Sequence, residues 1–352
     1  LRGDPGLEKR MRFAPFSRKR AVGLDVGAAS VRALVLEQRR SDVVVTGRGA
    51  AAVSSGEDTG ELRQAIHAAL ASAGAEGEPV VAAVGGPEVV IRVVSLPPVP
   101  RAKILPALEL QYRELGLLPP RDALMDAQIL RRPRKDTATI EILSVSLPRT
   151  RLNDRMRLLQ QAAVNVRILD LEPLALLNGA IHLTSLDAGE LLVLLTVGEE
   201  TSTLCLFSEQ GPVVARYLDA GAATFSRQLH AVFPAVGAST RELAEGIPAA
   251  EVSKAEAACR EIVDRMAEDI RLSLTFYRTE YDRESLPRYA IAGSIDLPYI
   301  GRWVAERLGL GAPLEVMDPF AGIEVKAPQT GSDLVTSGPL FLQAFGLALR
   351  GL

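Results

Sequence analysis

Cysteine, histidine and aromatic residues are scarce in this 352-residue chain, and each shortage removes a class of function. The two cysteines, Cys205 in an apolar strand pattern and Cys259 in a helical one, supply neither a disulfide framework nor a metal cluster, which fits the reducing cytoplasm. His67, His182 and His230 are scattered, so no histidine site for a metal or for proton transfer is expected. Aromatic residues make up 5% of the chain and the formal charge is only −3, leaving neither stacking platforms nor a positive field to gather nucleic acid. Long hydrophobic runs are missing as well. The run at 191–197 is broken by Thr196 and is far shorter than the roughly 20 residues a membrane-spanning helix needs.

What is present is a large stock of core-forming residues, 47% hydrophobic, enough for more than one core and hence for two α/β domains. Ahead of them lies a basic tail, residues 1–20, in which Lys9, Arg10, Arg12, Arg18, Lys19 and Arg20 surround Met11, Phe13 and Phe16. No apolar segment follows that would make it a signal peptide, and it reads as solvated.

Two stretches, Val22-Gly-Leu-Asp-Val-Gly-Ala-Ala-Ser-Val-Arg32 and Val193-Leu-Leu-Thr-Val-Gly-Glu-Glu-Thr-Ser-Thr203, align at a constant offset. Asp25 pairs with Thr196, Gly27 with Gly198 and Ser30 with Thr201. Each reads as strand, glycine turn and second strand, continuing into a three-stranded antiparallel meander and then a helix, at 60–73 and 222–233. An internal duplication is the economical explanation.

Between the copies lies material without a counterpart: strands at 80–84 and 89–96, prolines 97, 98 and 100, a helix at 102–115, strands at 126–130 and 137–146 around a basic loop at 131–135, a helix at 150–163 and a strand at 165–169. The expected organisation is a first domain over 21–96 and 166–190, an inserted small α/β subdomain over 97–165, a second domain over 191–340, and a C-terminal helix over 341–352 returning to the first domain. In the second half a long helix over 254–281 carries Ile262, Met266, Ile270, Leu274 and Tyr277 along one face. Trp303 lies on a later amphipathic helix, where packing is its expected role.

A strand turn carrying Gly27 exposes backbone amides to a phosphate with no side chain in the way. Ser30 adds a hydroxyl donor, and Asp25 can hold magnesium directly or through water. Alone, an Asp-x-Gly turn is ordinary turn chemistry. Two such turns facing each other would form a clamp on a polyphosphate in an interdomain cleft.

At these residues the chain resembles a known group. The first turn is similar to the first phosphate loop of the actin-like superfamily, and Ala290-Ile-Ala-Gly-Ser-Ile-Asp-Leu297 resembles its adenosine motif. Within that superfamily the resemblance is to the PilM family of type IV pilus assembly proteins, itself similar to the division protein FtsA. It rests on Gly23-Leu-Asp-Val-Gly27 with Ser30-Val31, 92–97, Ile270-Arg-Leu-Ser-Leu-Thr-Phe-Tyr277, Leu314-Glu-Val-Met-Asp-Pro-Phe320 and Gly346-Leu-Ala-Leu-Arg350, spanning about 21–352.

The resemblance implies an actin-like (ribonuclease H-like) duplicated two-domain fold with an inserted subdomain in the first half. It further implies ATP and Mg2+ as ligands and a cytoplasmic scaffold bound to an inner-membrane partner resembling PilN. The nucleotide residues it implies are Asp25, Gly27, Ala28, Ala29, Ser30 and Arg32 of the first turn, and Gly198, Glu199, Glu200 and Thr201 of the second. Asp269, Arg271 and Ser273 on the long helix and Gly293 and Ser294 at the adenosine turn complete them, with Asp25 as the metal ligand. A groove for the partner's N-terminal peptide would be bordered by Ile91, Val93, Leu96, Leu110 and Leu115.

The departures are specific. Thr196 stands where the second loop usually begins with Asp, Ala292-Gly293 where paired glycines are usual, and Arg32 where lysine is common. Without the second carboxylate to order magnesium and water, hydrolysis should be slow or absent. Glu199 and Glu200 are alternative metal contacts or a source of repulsion toward a triphosphate. Two other readings stay open: a kinase or phosphatase of the same superfamily acting on a small molecule, and a self-associating, FtsA-like filament protein. Against membrane tethering of the FtsA kind, no amphipathic helix follows Leu349.

Overall fold

A computed structural model describes residues 19–40, 42–54, 56, 58–114, 122–131, 139–208, 211–236, 246–281, 285–294, 299–327 and 337–352. Residues 1–18 of the basic tail, Leu115, and 132–135 of the basic loop lie outside them.

The first meander consists of β1 (Arg20–Val26), β2 (Ser30–Arg39) and β3 (Asp42–Ala52). Helix α1 (Thr59–Ser72) follows, its first turn capped by Asp58, whose Oδ1 accepts from the amides of Gly60 at 2.7 Å and Glu61 at 3.1 Å. Leu62, Ala65, Ile66, Ala69 and Leu70 recur at helical spacing and bury one face of α1 on the sheet. This crossover lets β4 (Val80–Val84) run parallel to β1.

Next come β5 (Val90–Leu96), α2 (Ile104–Glu114), β6 (Ala123–Arg131) and β7 (Ile140–Pro148), then α3 (Arg149–Gln161), β8 (Val166–Leu171) and α4 (Glu172–Leu183). The second half opens with β9 (Glu190–Val197), β10 (Ser202–Ser208), β11 (Gly211–Leu218) and α5 (Ala222–Val232). It continues with α6 (Val252–Tyr281), β12 (Leu286–Gly293), α7 (Ile300–Leu308), β13 (Glu315–Val316), β14 (Glu324–Val325) and α8 (Leu342–Gly351).

The duplication is visible in strand order. One sheet runs β14-β3-β2-β1-β4-β8 and the other β13-β12-β9-β10-β11-β5-β7-β6, so β3-β2-β1-β4-β8 and β11-β10-β9-β12-β13 repeat one topology. The turns match residue for residue. Val26 pairs with Val31 and Val197 with Ser202. The Gly27 amide donates to the Ser30 carbonyl at 3.0 Å, and the Gly198 amide to the Thr201 carbonyl at 3.1 Å.

Strand β5, which the sequence reading assigns to the first half, hydrogen-bonds instead to β11 through Val214–Arg92 and Ala215–Ile91, so β5, β7 and β6 extend the second sheet. Helix α2 packs on this extension through Ile104, Leu108 and Tyr112. Helix α3, grouped by that reading with the insert, buries Leu159 with the core of the first sheet.

Cores follow from the alternation of these strands. In the second half Phe225, Leu229, Met266, Ile270, Leu274, Tyr277 and Trp303 pack on one face of the sheet. Each fully buried large side chain there contributes about 1.5–3 kcal/mol. Helix α8 lies against β1, β2 and β4 of the first sheet, with Phe341, Ala344, Phe345 and Ala348 in its core. A Cβ on Gly23 would run into the Ala344 carbonyl, so this close crossing requires glycine in β1. The cysteines are free and buried, and burial pushes the Cys259 thiol up to about 12.

Candidate functional site

A cavity of about 430 Å³ opens between the two lobes, and both glycine turns border it. Asp25, Gly27, Ala28, Ala29, Ser30 and Arg32 line it from the first lobe; Gly198, Glu199, Glu200, Thr201, Gly293 and Ser294 line it from the second. Thr196, Glu172, Tyr217, Arg151, Arg155 and Gln343 complete its polar wall. Fifteen residues were expected at a nucleotide site; twelve meet here, and Asp269, Arg271 and Ser273 do not border the cavity. On α6, Asp269 pairs with Arg216 at 3.0 Å, Arg271 holds the Arg307 carbonyl and Glu268, and Ser273 Oγ donates to the Asp269 carbonyl. Their positions on a long helix gave no sign of which side faces the cleft.

The turns owe their form to glycine. A Cβ on Gly27 would sit 3.1 Å from the Ser30 carbonyl oxygen, and one on Gly198 would strike the Thr201 carbonyl. In the second turn the carbonyls of Gly198 and Glu199 accept from the Ala222 and Ala223 amides, each at 2.9 Å, which fastens the turn to the start of α5. Gly293 has φ +89° and a Cβ there would meet the Val197 carbonyl, whereas Ala292 is an ordinary strand residue. The glycine lost from the adenosine motif is therefore the one whose backbone does not need it.

Asp25 is buried and both its oxygens are engaged. Arg32 Nη1 donates to Oδ2 at 3.2 Å, and Gln343 Nε2, from the far end of the chain on α8, donates to Oδ1 at 2.8 Å. Burial pushes the Asp25 carboxyl above its ordinary value, against the pull of Arg32 and Arg155. Thr196 brings no charge to the cleft, and its Oγ1 is buried without a hydrogen-bond partner among the described residues.

Glu172 is the carboxylate that the sequence reading missed. It stands at the first position of α4, followed by Pro173, and its side chain fills the space that a Cβ on Gly85 would need. The Tyr217 hydroxyl donates to its Oε2 at 3.2 Å, and Arg155 lies 3.8 Å from Oε1 while donating to the Val26 carbonyl at 2.9 Å. Burial raises its pKa, and the Asp25 charge raises it further. An acid followed by proline at a helix start was the available signal. Arg151, paired with Glu88 at 2.7 Å, and Gln343, on the mostly apolar helix α8, were missed as well.

The site fits a nucleotide in size and in its paired glycine turns. It does not fit a protein-held magnesium ion. The expected ligand Asp25 is already bound by a guanidinium and an amide, and a cation 3.2 Å away opposes a second one. Among the described residues no group of three or more His, Cys, Asp or Glu side chains could hold a metal.

The expected partner groove fares differently from the cleft. Ile91 and Leu96 are buried in cores, and Val93 is partly buried against one of them. Leu110 on α2 is 56% exposed. Ile91 and Leu96 thus serve packing on opposite faces of β5, Leu96 with α2 and Ile91 with Val84, Leu143 and Leu171.

Two lobes of repeated strand order, each presenting a glycine hairpin to a common cleft, define an actin-like protein. The family described as type IV pilus assembly protein PilM matches residues 23–352, and the chain belongs to that family. Among solved structures, a PilM-PilN type IV pilus biogenesis complex is similar at a TM-score of 0.75 and 20% identity, covering 94% of this chain and 98% of that one. The ethanolamine utilization protein EutJ from Carboxydothermus hydrogenoformans is similar at a TM-score of 0.51 and 12% identity, over 94% and 89% of the two chains. No curated protein matches the sequence.

Proposed function

We propose that this protein is a cytoplasmic actin-like scaffold of a type IV pilus or related secretion machine. It holds a nucleotide between its lobes with little or no hydrolysis, and binds an N-terminal peptide of a PilN-like inner-membrane protein, which places it at that membrane. The observation that carries the reading is the family match over 23–352 together with a cleft shared by both glycine turns. Support for the partner comes from the similar structure of a PilM-PilN complex. Among the described residues no helix is long and apolar enough to cross a membrane, which suits attachment through a partner.

Weak turnover follows from the cleft's polar wall. Thr196 offers no carboxylate to order an attacking water, and Asp25 is occupied by Arg32 and Gln343. Glu172 gives the kinase or phosphatase reading one carboxylate inside the cleft, although Tyr217 and Arg155 already engage it. Calorimetry with ATP alongside a phosphate-release assay separates the two readings. Binding without release is expected, and turnover at about 1–100 per second would establish the enzyme instead.

For the partner, the proposed contact is Leu110, exposed on α2. Leu110→Asp, a surface change, should weaken binding of the partner's N-terminal peptide by about tenfold or more in fluorescence anisotropy. Unchanged binding would remove α2 from the groove.

A further inference from the structure

We propose, resting on the nucleotide reading above, that the cleft carries its own cation: Arg32, held by Asp25, receives the nucleotide's phosphates, and binding requires no divalent metal.

Three observations support this. First, Arg32 lines the cavity, yet its side chain is only 12% exposed, and Asp25 and its partner strand hold it in place. Such a guanidinium loses little freedom when it binds a phosphate oxygen. Second, Arg32 gives one N–H, from Nη1, to Asp25, and a guanidinium has five N–H donors, so donors remain beyond that one bond. Third, both positions from which a carboxylate would order magnesium are closed. Asp25 is held at both oxygens, and Thr196 buries its hydroxyl.

The rest of the wall fixes which end of the cleft takes the phosphates. Glu199 and Glu200 stand at the second turn, whereas Arg32 stands by the first, with Arg155 bonded to the Val26 carbonyl beside it. Four acidic residues (Asp25, Glu172, Glu199, Glu200) and three arginines (Arg32, Arg151, Arg155) line the cavity, so the phosphates belong against the first turn, away from the two glutamates.

The test is calorimetric titration of the full chain with ATP, in EDTA and in excess magnesium. The unmodified protein should bind with affinities that agree within about threefold in the two buffers. Arg32→Ala should lose about tenfold or more in EDTA and recover with magnesium, because Asp25 is then free to hold the metal. Arg32→Lys keeps the charge and serves as the folding control; it should bind in EDTA. A protein whose affinity falls about tenfold or more when magnesium is removed would overturn this inference while leaving the nucleotide reading intact. Arg32→Ala binding in EDTA as tightly as the parent would overturn the role given to Arg32. Absence of binding in both buffers would overturn the nucleotide reading, and this inference with it.

Discussion

Glu172 shows how one side chain joins the lobes. It comes from α4, but its partners are Arg155 of α3 and Tyr217 of β11 in the other sheet, so the cleft floor is one polar network. Burial is the main cause of its raised pKa, with Asp25 adding to the shift and Arg155, Tyr217 and Arg151 opposing it. The consequence for stability has a definite sign. Below the ordinary glutamate value of 4.5 the side chain is protonated in folded and unfolded chains alike, and its contribution is complete. As pH rises, the unfolded chain ionises first, so stability is lost until pH passes the raised folded value. Glu172→Gln removes that loss and keeps an acceptor for Tyr217. Urea unfolding from acid to neutral pH should therefore show the variant gaining on the parent as pH rises. A constant difference between the two across that range would contradict the burial account.

Helices and strands were legible in proportion to how local their cause is. The buried stripe of α6 was read from Met266, Ile270, Leu274 and Tyr277, and the glycine turns from two matching segments, because spacing alone determines both. The attachment of β5 to β11 was not legible. It joins Ile91 and Arg92 to residues more than a hundred positions away, and alternation along a strand says nothing about which edge it will meet. The same holds for Gln343, whose value lies in where α8 docks. That docking depends on small residues: Gly23 under Ala344, and Gly346 against the Ala175 carbonyl of α4. Gly23→Val should cost at least about 1–3 kcal/mol through overpacking. It should also shift α8 and loosen Gln343 from Asp25, so thermal unfolding and nucleotide affinity should fall together. A loss of stability with affinity unchanged would show that α8 does not position the cleft.

At the scale of the whole molecule, the repeated order β3-β2-β1-β4-β8 and β11-β10-β9-β12-β13 yields two equivalent hairpins and one space between them. Twelve of the expected cleft residues were readable from sequence because they lie on those hairpins and on the Gly293 turn. Arg151, Arg155 and Glu172 were not, since they come from helices α3 and α4 outside the repeated strands, and Tyr217 on β11 was not, since it carries no motif. Duplication thus made the grip legible, whereas the other charges of its wall, Arg151, Arg155 and Glu172, come from elsewhere in the chain. The account's central claim is that both turns close on one nucleotide. Hydrogen exchange followed by mass spectrometry, with and without ATP, tests it most directly. Slowed exchange is expected in both segments, 27–30 and 198–201, at the same nucleotide concentration. Slowing confined to one segment, or absent from both under conditions where ATP is bound, would contradict it.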